Sequence, residues 1–252
     1  MAGRKILGSG QVCVWPGGTL WIGEATGATD LHAHHAVQIS FGWSGDLQFR
    51  TSRTWTRFRA CLIPNDVSHA FLGDNITAAH VFIEPESTIG KALLERFGHR
   101  SIRSLPPDRF EPAATVLFDA WKGARHPARL VPAAQQALAL LAGGVAPVAT
   151  TDPRVLGAIE IIKSRLDGPV TLADVAREVH ISPSRLRHLF AEETGLPFRR
   201  YVLWQRLQQV FGMMTTATLT DAAHAAGFAD AAHMTRTFRR MLGIAPTNLE
   251  AE

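Results

Sequence analysis

The sequence predicts an α+β chain: an N-terminal antiparallel β-barrel with helices, followed by an all-α double helix-turn-helix domain. Three observations predict it. Residues 11–84 are short runs rich in Val, Ile, Phe, Trp and Thr, separated by Gly, Pro, Asn and Asp. From about residue 86, apolar residues recur at the three- and four-residue intervals of an amphipathic helix. The last hundred residues then contain one helical unit twice, at a spacing of 47–48.

The strand runs are QVCVW, TLWIGEA, AVQISFGW, LQFRTS, TRFRACLIP and AAHVFIEP, and their number and spacing suit a small antiparallel barrel or sandwich. ESTIGKALLERFG, RFEPAATVLFDAWKGA and VPAAQQALALLAG follow as helices, and the last two are apolar enough to pack on the barrel or on a partner subunit. The segment at 143–152 is small, Gly/Pro/Thr-rich and almost uncharged, which reads as a linker. The predicted domains are therefore 1–142 (barrel about 11–84, helices about 86–142) and 153–252. A chain of 252 residues with 46% apolar and 19% charged residues is expected to be globular. It has no apolar run long enough to span a bilayer and no secretory leader pattern, so a cytoplasmic protein without a membrane partner is expected. Cys13 and Cys61 are too few for a disulfide framework and read as reduced strand residues.

In the repeat, LADVAREVHISPSRLRHLFAEETG (172–195) matches LTDAAHAAGFADAAHMTRTFRRMLG (219–243). Asp174, Ala176 and Val179 pair with Asp221, Ala223 and Ala226; Leu186, Phe190 and Gly195 pair with Met234, Phe238 and Gly243. Each unit is helix, tight turn, helix. Thr171 is expected to cap the first helix and Ser182, with Pro183 behind it, the second. In the second unit Thr220 or Asp221 is expected in the opening role, with Gly227 permitting the turn.

The second helix of each unit has two faces. Leu186, Leu189 and Phe190 form an apolar stripe opposite Ser184, Arg187, His188 and Ala191; Met234, Thr237, Phe238 and Met241 lie opposite Ala232, Thr235, Arg236 and Arg239. Both outward stripes mix donors with small residues and carry no acid, which suits entry into a DNA major groove. Bulk charge does not make this case. The whole chain is +4, but residues 152–252 hold 12 Lys+Arg against 11 Asp+Glu, a net of +1. Charge must be placed locally. The intervening LPFRRYVLWQRLQQVFGMM (196–214) reads as one helix joining two reading heads, with Arg199, Arg200 and Arg206 either meeting phosphates or solvated.

These residues carry a resemblance. Residues 152–249 resemble the DNA-binding domain of the AraC/XylS family of bacterial transcription regulators, through Gly227, Phe228, His233, Arg236, Phe238, Gly243 and Pro246, with Tyr201 and Arg206 in the joining helix. The resemblance implies base contacts from Ser184, Arg187 and His188 and from Ala231, Ala232, Thr235 and Arg236, with Arg239 on the same face. It implies double-stranded operator DNA as partner, a homodimer, and RNA polymerase if the protein activates. His180 stands where the family usually has Gly, and Val210 where it usually has Ala. The N-terminal region resembles the family's cupin-like effector domain through HAHHAVQ (32–38), Gly45 and IPNDVSH (63–69).

On a strand, His32, His34 and Gln38 share a face and His35 takes the other. With His69 they occupy the positions where the cupin resemblance places metal ligands, but Gln38 replaces a Glu and Asp66 a Gly. A neutral amide is a poorer ligand than a carboxylate, although three histidines suffice for Zn or Fe. The residues are compatible with a small-molecule pocket, a metal site or structural hydrogen bonds. The expectation is a small-molecule effector contacted by His32, His34, Gln38, His69 and the aromatic Trp43, with no cofactor, no metal and no catalytic residue. Two rival functions stand beside this one: a dioxygenase-like cupin metalloenzyme fused to a DNA-binding domain, and a constitutive regulator whose barrel serves only dimerisation.

Overall fold

The structure, a computed structural model, describes residues 7–123, 125–143 and 151–251. Most of the expected linker, 144–150, lies outside them. Strands β1 (Gly8–Trp15), β2 (Gly18–Ala28), β3 (Val37–Gly42), β4 (Leu47–Arg50), β5 (Thr56–Phe58), β6 (Ala60–Ile63) and β7 (Ala70–Ile83) arise from the β-branched and aromatic runs. With β8 (Arg103–Ser104) and β9 (Leu249–Ala251) they form one sheet in the order β8-β6-β3-β7-β2-β1-β9, while β4 pairs with β5 and β7. The fourteen-residue β7 shapes the sheet: it pairs with β2 along nearly its whole length, with β4 near its start and with β3 near its end. A register shift at Ala25/Thr26 bends the β2–β7 ladder between those halves.

The pleat then sorts side chains to two faces. Leu20, Ile22, Val37, Ile39, Phe41, Ala60, Leu62, Ala79, Val81 and Ile83 face a core shared with helices α1 (Thr88–Phe97), α2 (Pro107–Gly123) and α3 (Pro127–Ala142). These helices therefore bury their apolar stripes, among them Leu93, Leu117, Phe118, Leu138 and Leu141, on the sheet. The other face carries Trp21, Phe49, Cys61, Ile63, Phe71 and Ala78 as a second core. Gln38, Ser40 and His80, at the alternate positions of β3 and β7, belong to it by register and are buried.

Beyond the linker come α4 (Pro153–Lys163), α5 (Leu172–Glu178), α6 (Pro183–Thr194), α7 (Phe198–Met213), α8 (Leu219–Ala225) and α9 (Ala231–Leu242). Asp152, Thr171 and Ser182 cap α4, α5 and α6 through their side-chain oxygens, as expected. Buried Val155, Ile159, Ile162, Val175, Leu186, Phe190, Phe198 and Tyr201 form one core around the first helix-turn-helix unit. A short 3-10 turn, Pro246–Asn248, leads into β9.

By compactness the chain divides into residues 1–148 with 238–252, and residues 149–237. The last fifteen residues thus group with the N-terminal sheet, because β9 adds to it in parallel beside β1: Gly8, Ser9 and Gly10 face Leu249, Glu250 and Ala251. Among the described residues no helix is long and apolar enough to cross a membrane.

Candidate functional site

The reading helices come first. In α6, Leu186, Leu189 and Phe190 are buried, while Ser184, Arg187 and His188 are exposed and Ala191 is half-buried. In α9, Met234, Thr237, Phe238 and Met241 are buried; Ala232, Arg236 and Arg239 are exposed, with Ala231 and Thr235 at intermediate depth. Both faces thus emerge as the spacing predicts. Asp230 caps α9, its Oδ1 accepting from the His233 N–H at 2.6 Å. Phe228 packs its ring edge against His233, 5.3 Å between centroids, and so braces the turn into α9. Elsewhere in this unit the basic residues are neutralised: Arg154 pairs with Asp152, Arg165 with Glu178, and Arg177 with Asp174. Those partners hold Asp152, Glu178 and Asp174 below the usual carboxylate range. A near-neutral domain can therefore present positive charge where its reading helices are.

The second site lies at one end of the sheet's inner face. His32 and His69 form an isolated antiparallel bridge, each N–H donating to the other's carbonyl at 2.9 and 2.8 Å. Residues 33–36 are not strand, so the continuous strand expected to align His32, His34 and Gln38 is not what brings them together. The bridge and the start of β3 do so instead. The rings of His32, His34 and His69 lie 4.4–5.8 Å apart between centroids and are all buried. Phe82 meets His34 edge-on at 5.3 Å, Phe49 meets His69 at 6.0 Å, and Trp21 stacks on His80 at 5.4 Å.

Each ring of the trio hydrogen-bonds through Nδ1 to a backbone carbonyl two residues away: His32 to Asp30 (2.8 Å), His34 to Ala36 (3.0 Å) and His69 to Val67 (2.8 Å). A carbonyl only accepts, so each Nδ1 carries the hydrogen and each Nε2 keeps its lone pair. Burial pushes His32 and His34 down to about 4, His69 well below its ordinary value, and His80 to about 3, with neighbouring histidines adding to the effect. All four are neutral at pH 7.

Neutrality fixes the Gln38 amide. His34 Nε2 lies 2.9 Å from the Gln38 side chain, yet its only hydrogen is on Nδ1, so Gln38 must donate here with its NH2. The Gln38 oxygen then accepts from the Ser40 hydroxyl at 2.8 Å, and Ser40 Oγ accepts from His80 Nδ1–H at 2.9 Å. This gives a directed chain from His80 through Ser40 and Gln38 to His34.

The ligand atoms of His32, His34 and His69 all lie within 4.8 Å of one another. Three imidazoles with Nδ1–H tied to carbonyls match the outer-shell pattern of zinc-binding histidines. Nitrogens about a zinc ion at roughly 2.0–2.1 Å stand about 3.4 Å apart, so the trio fits a three-nitrogen site after a modest contraction. No carboxylate joins it: Glu86, buried nearby in sequence, binds His35 Nε2 at 2.9 Å. His35 is thus separate from the trio, as its parity predicts.

The comparisons with known proteins bear on the helical part first. A family model described as a helix-turn-helix domain matches residues 175–252. The arabinose operon regulatory protein of Salmonella typhimurium is 32% identical over 103 residues, which is 40% of this chain and 37% of that relative. The chain carries a C-terminal domain of the AraC/XylS family. It spans well under half the length of that relative. Among solved structures, ToxT from Vibrio cholerae O395 aligns with a TM-score of 0.61 at 13% identity, covering 92% of this chain and 96% of that one. ToxT of strain SCE256 with a bound unsaturated fatty acid aligns at 0.57 and 11% identity, covering 91% and 93%. At these identities the likeness is one of fold, and it extends over both the sheet and the helices.

Within the AraC-type domain two expectations are corrected. Thr218, rather than Thr220 or Asp221, caps α8: its Oγ accepts from the Asp221 N–H at 3.1 Å and donates to Asp221 Oδ2 at 2.7 Å. Arg206 neither reaches outward nor is solvated; it donates to the carbonyls of Leu166 (3.1 Å) and Gly168 (2.8 Å), strapping α7 to the loop after α4. His180 adopts the left-handed φ of 57° that the family's usual Gly supplies, and Gly227 takes 74° at the matching place in the second unit. Trp43 stands away from the trio's partners: it packs on Phe118 at 4.7 Å with Lys122 Nζ 4.3 Å over its ring. His80 and Ser40 were missed as members of the histidine network. The alternation HVF in β7 placed His80 on the same inner face as Phe71 and Trp21 and could have found it.

Proposed function

We propose that this protein is a sequence-specific DNA-binding transcription regulator whose N-terminal sheet domain takes a small effector. The observation that carries the reading is the duplicated reading face: two capped helices, α6 and α9, each exposing arginine beside small or hydroxylic residues and no acid. Ser184, Arg187 and His188 on α6, and Ala231, Ala232, Thr235, Arg236 and Arg239 on α9, are the contacts this reading assigns. Arginine donates bidentately to guanine, and Ala and Thr permit close approach to thymine methyls. Ala231 and Ala232 cannot hydrogen-bond, so sequence discrimination in the second half-site falls on Thr235 and Arg236. The regulators among its relatives support the assignment, and the fatty-acid-bound ToxT supports an effector in the sheet domain. A cytoplasmic homodimer, with RNA polymerase as a further partner if it activates, belongs to the same reading.

The test is operator binding. Once genome-wide mapping supplies an operator, Arg236→Ala should weaken binding to it by ~1–3 kcal/mol while changing random-sequence DNA far less. An equal loss on both would reassign Arg236 to phosphate contact; no loss on either would remove α9 as a reading helix.

A second reading of the effector is favoured by the trio itself. Neutral, buried imidazoles with lone pairs on Nε2 are cation ligands, and the rings of Phe49, Phe82 and Trp21 crowd the space a bulky organic molecule would need. Zinc loading of chelator-stripped protein, measured by equilibrium dialysis, separates a cation effector from an organic one.

A further inference from the structure

The cluster and the end of α9 meet at one residue. Gly243 follows α9 in the left-handed region (φ 70°), and its carbonyl accepts from the Asp30 N–H at 2.7 Å. A Cβ at Gly243 would fall 2.4 Å from the Asp30 oxygen and 2.5 Å from His32 Nδ1, so the backbone is seated directly on the His32 ring. The same Asp30 oxygen accepts from that Nδ1 at 2.8 Å. His32 is therefore at once a member of the trio and the surface on which the chain leaves its reading helix.

The segment beyond is held only by light contacts. Leu7 N–H donates to the Asn248 carbonyl at 2.8 Å, β9 pairs three residues with β1, and the Leu249 side chain lies across Gly8 beside the Trp21 ring. A three-residue edge strand is a marginal element, and its attachment depends on where Asp30 and His32 sit.

We propose that Gly243–Ala251 is a latch, and that a divalent transition-metal cation of the zinc class, bound by His32, His34 and His69, releases it from the sheet. The proposal rests on the cation reading of the effector site. Ligand atoms spread over as much as 4.8 Å must close to roughly 3.4 Å around the ion. His32 moves toward His34 and His69 in that contraction, away from Gly243, and it carries the Asp30 carbonyl with it. The seat of the latch is withdrawn. Arg239 accepts the Gly243 N–H at 2.8 Å in the last turn of α9, so the loss is felt in the helix that presents Arg236 and Arg239. Coupling of this kind requires that the cation favour the unlatched state, and the contraction supplies that preference.

The test uses the full chain, stripped with chelator, with amide hydrogen exchange read at Gly243–Ala251 and at Leu7–Gly10. One equivalent of Zn2+ should bind and raise exchange at both stretches by ~10-fold or more. Mg2+, which prefers oxygen ligands, should leave both unchanged. His34→Gln, which removes a ligand without touching Gly243 or Asp30, should abolish the zinc response and leave resting protection intact. Zinc binding at one equivalent with unchanged exchange overturns the latch. So does absence of zinc binding, or an equal response in His34→Gln. The regulator reading is judged separately, by Arg236→Ala on operator DNA, and survives each of these failures.

Discussion

Acidification should unfold the sheet domain through its buried histidines. The perturbation is a change from pH 7 to pH 5 in the presence of chelator. In the folded chain His32 and His34 titrate near 4 rather than 6.5. Their folded-state values are depressed, so the unfolded chain binds the extra protons as pH falls through 6.5, and stability is lost from there down to the folded value. For a shift of this size each residue withdraws about 2 kcal/mol between pH 7 and pH 5. Two such residues withdraw about 4, and His69 and His80, lowered by the same burial, act in the same sense. Domains hold only ~5–15 kcal/mol in all, so the sheet should be near its midpoint close to pH 5. Carboxylates held low by arginine or by backbone, such as Asp152, Asp174 and Asp230, titrate below this window. Urea unfolding followed by tryptophan emission is the assay, because Trp15, Trp21, Trp43, Trp55 and Trp121 all lie in the sheet unit. Four protons give a slope of up to about 5 kcal/mol per pH unit between pH 6 and 5, and one proton gives about 1.4. A slope below the one-proton value, or one unchanged in His34→Gln, would refute the reasoning.

The remaining predictions concern the helical unit and the tail. Gly227→Ala should destabilise residues 149–237 by more than ~2 kcal/mol in thermal or urea unfolding, because its Cβ would lie 2.0 Å from the Leu166 oxygen at a φ of 74°. Arg206→Met should cost ~1–3 kcal/mol of stability by orphaning two carbonyls, while the salt dependence of DNA binding stays unchanged; a shallower salt slope would mean that Arg206 does meet phosphate. Gly243→Asn tolerates the left-handed backbone yet drives a Cβ into Asp30 and His32, so it should expose the amides of Leu249–Ala251 to exchange without metal. Protection equal to wild type there would show that the tail does not depend on this seat.

The helical half was legible because its period is local. Leu186 and Phe190, or Met234 and Phe238, announce a buried stripe through spacing alone, and Ser182-Pro183 announces a helix start. The errors there came from side chains with more than one available partner. Thr218, Thr220 and Asp221 are all competent caps, and only the path of the chain selects Thr218. Arg206 looks like a phosphate contact until α7 is seen to pass the open carbonyls of Leu166 and Gly168. The histidine site was partly legible. Sequence parity paired His34 with Gln38 and set His35 apart, but the agent that joins His32 to His69 is a bridge across 37 residues of chain. The tail was not legible at all: LEA has no strand signature, and it becomes a strand because β1 is an open edge whose Gly8 and Gly10 let a neighbour approach.

The chemistry of the trio favours binding over proton transfer. A general base working at neutral pH needs a pKa near that pH. His32 and His34, held near 4, accept protons poorly, and the hydrogen on each Nδ1 is committed to a backbone carbonyl. What remains is three lone pairs in a fixed tautomer. Such groups hold a cation or accept a hydrogen bond, and both are ways of sensing a ligand. Replacing Gln38 by Glu tests this directly. A carboxylate beside His34 would favour its protonated form, raising its pKa, and would add an anionic ligand. Q38E should therefore bind Zn2+ more tightly than wild type by dialysis at pH 7 and lose less stability between pH 7 and pH 5. Weaker zinc binding in Q38E would place the cation somewhere other than the trio.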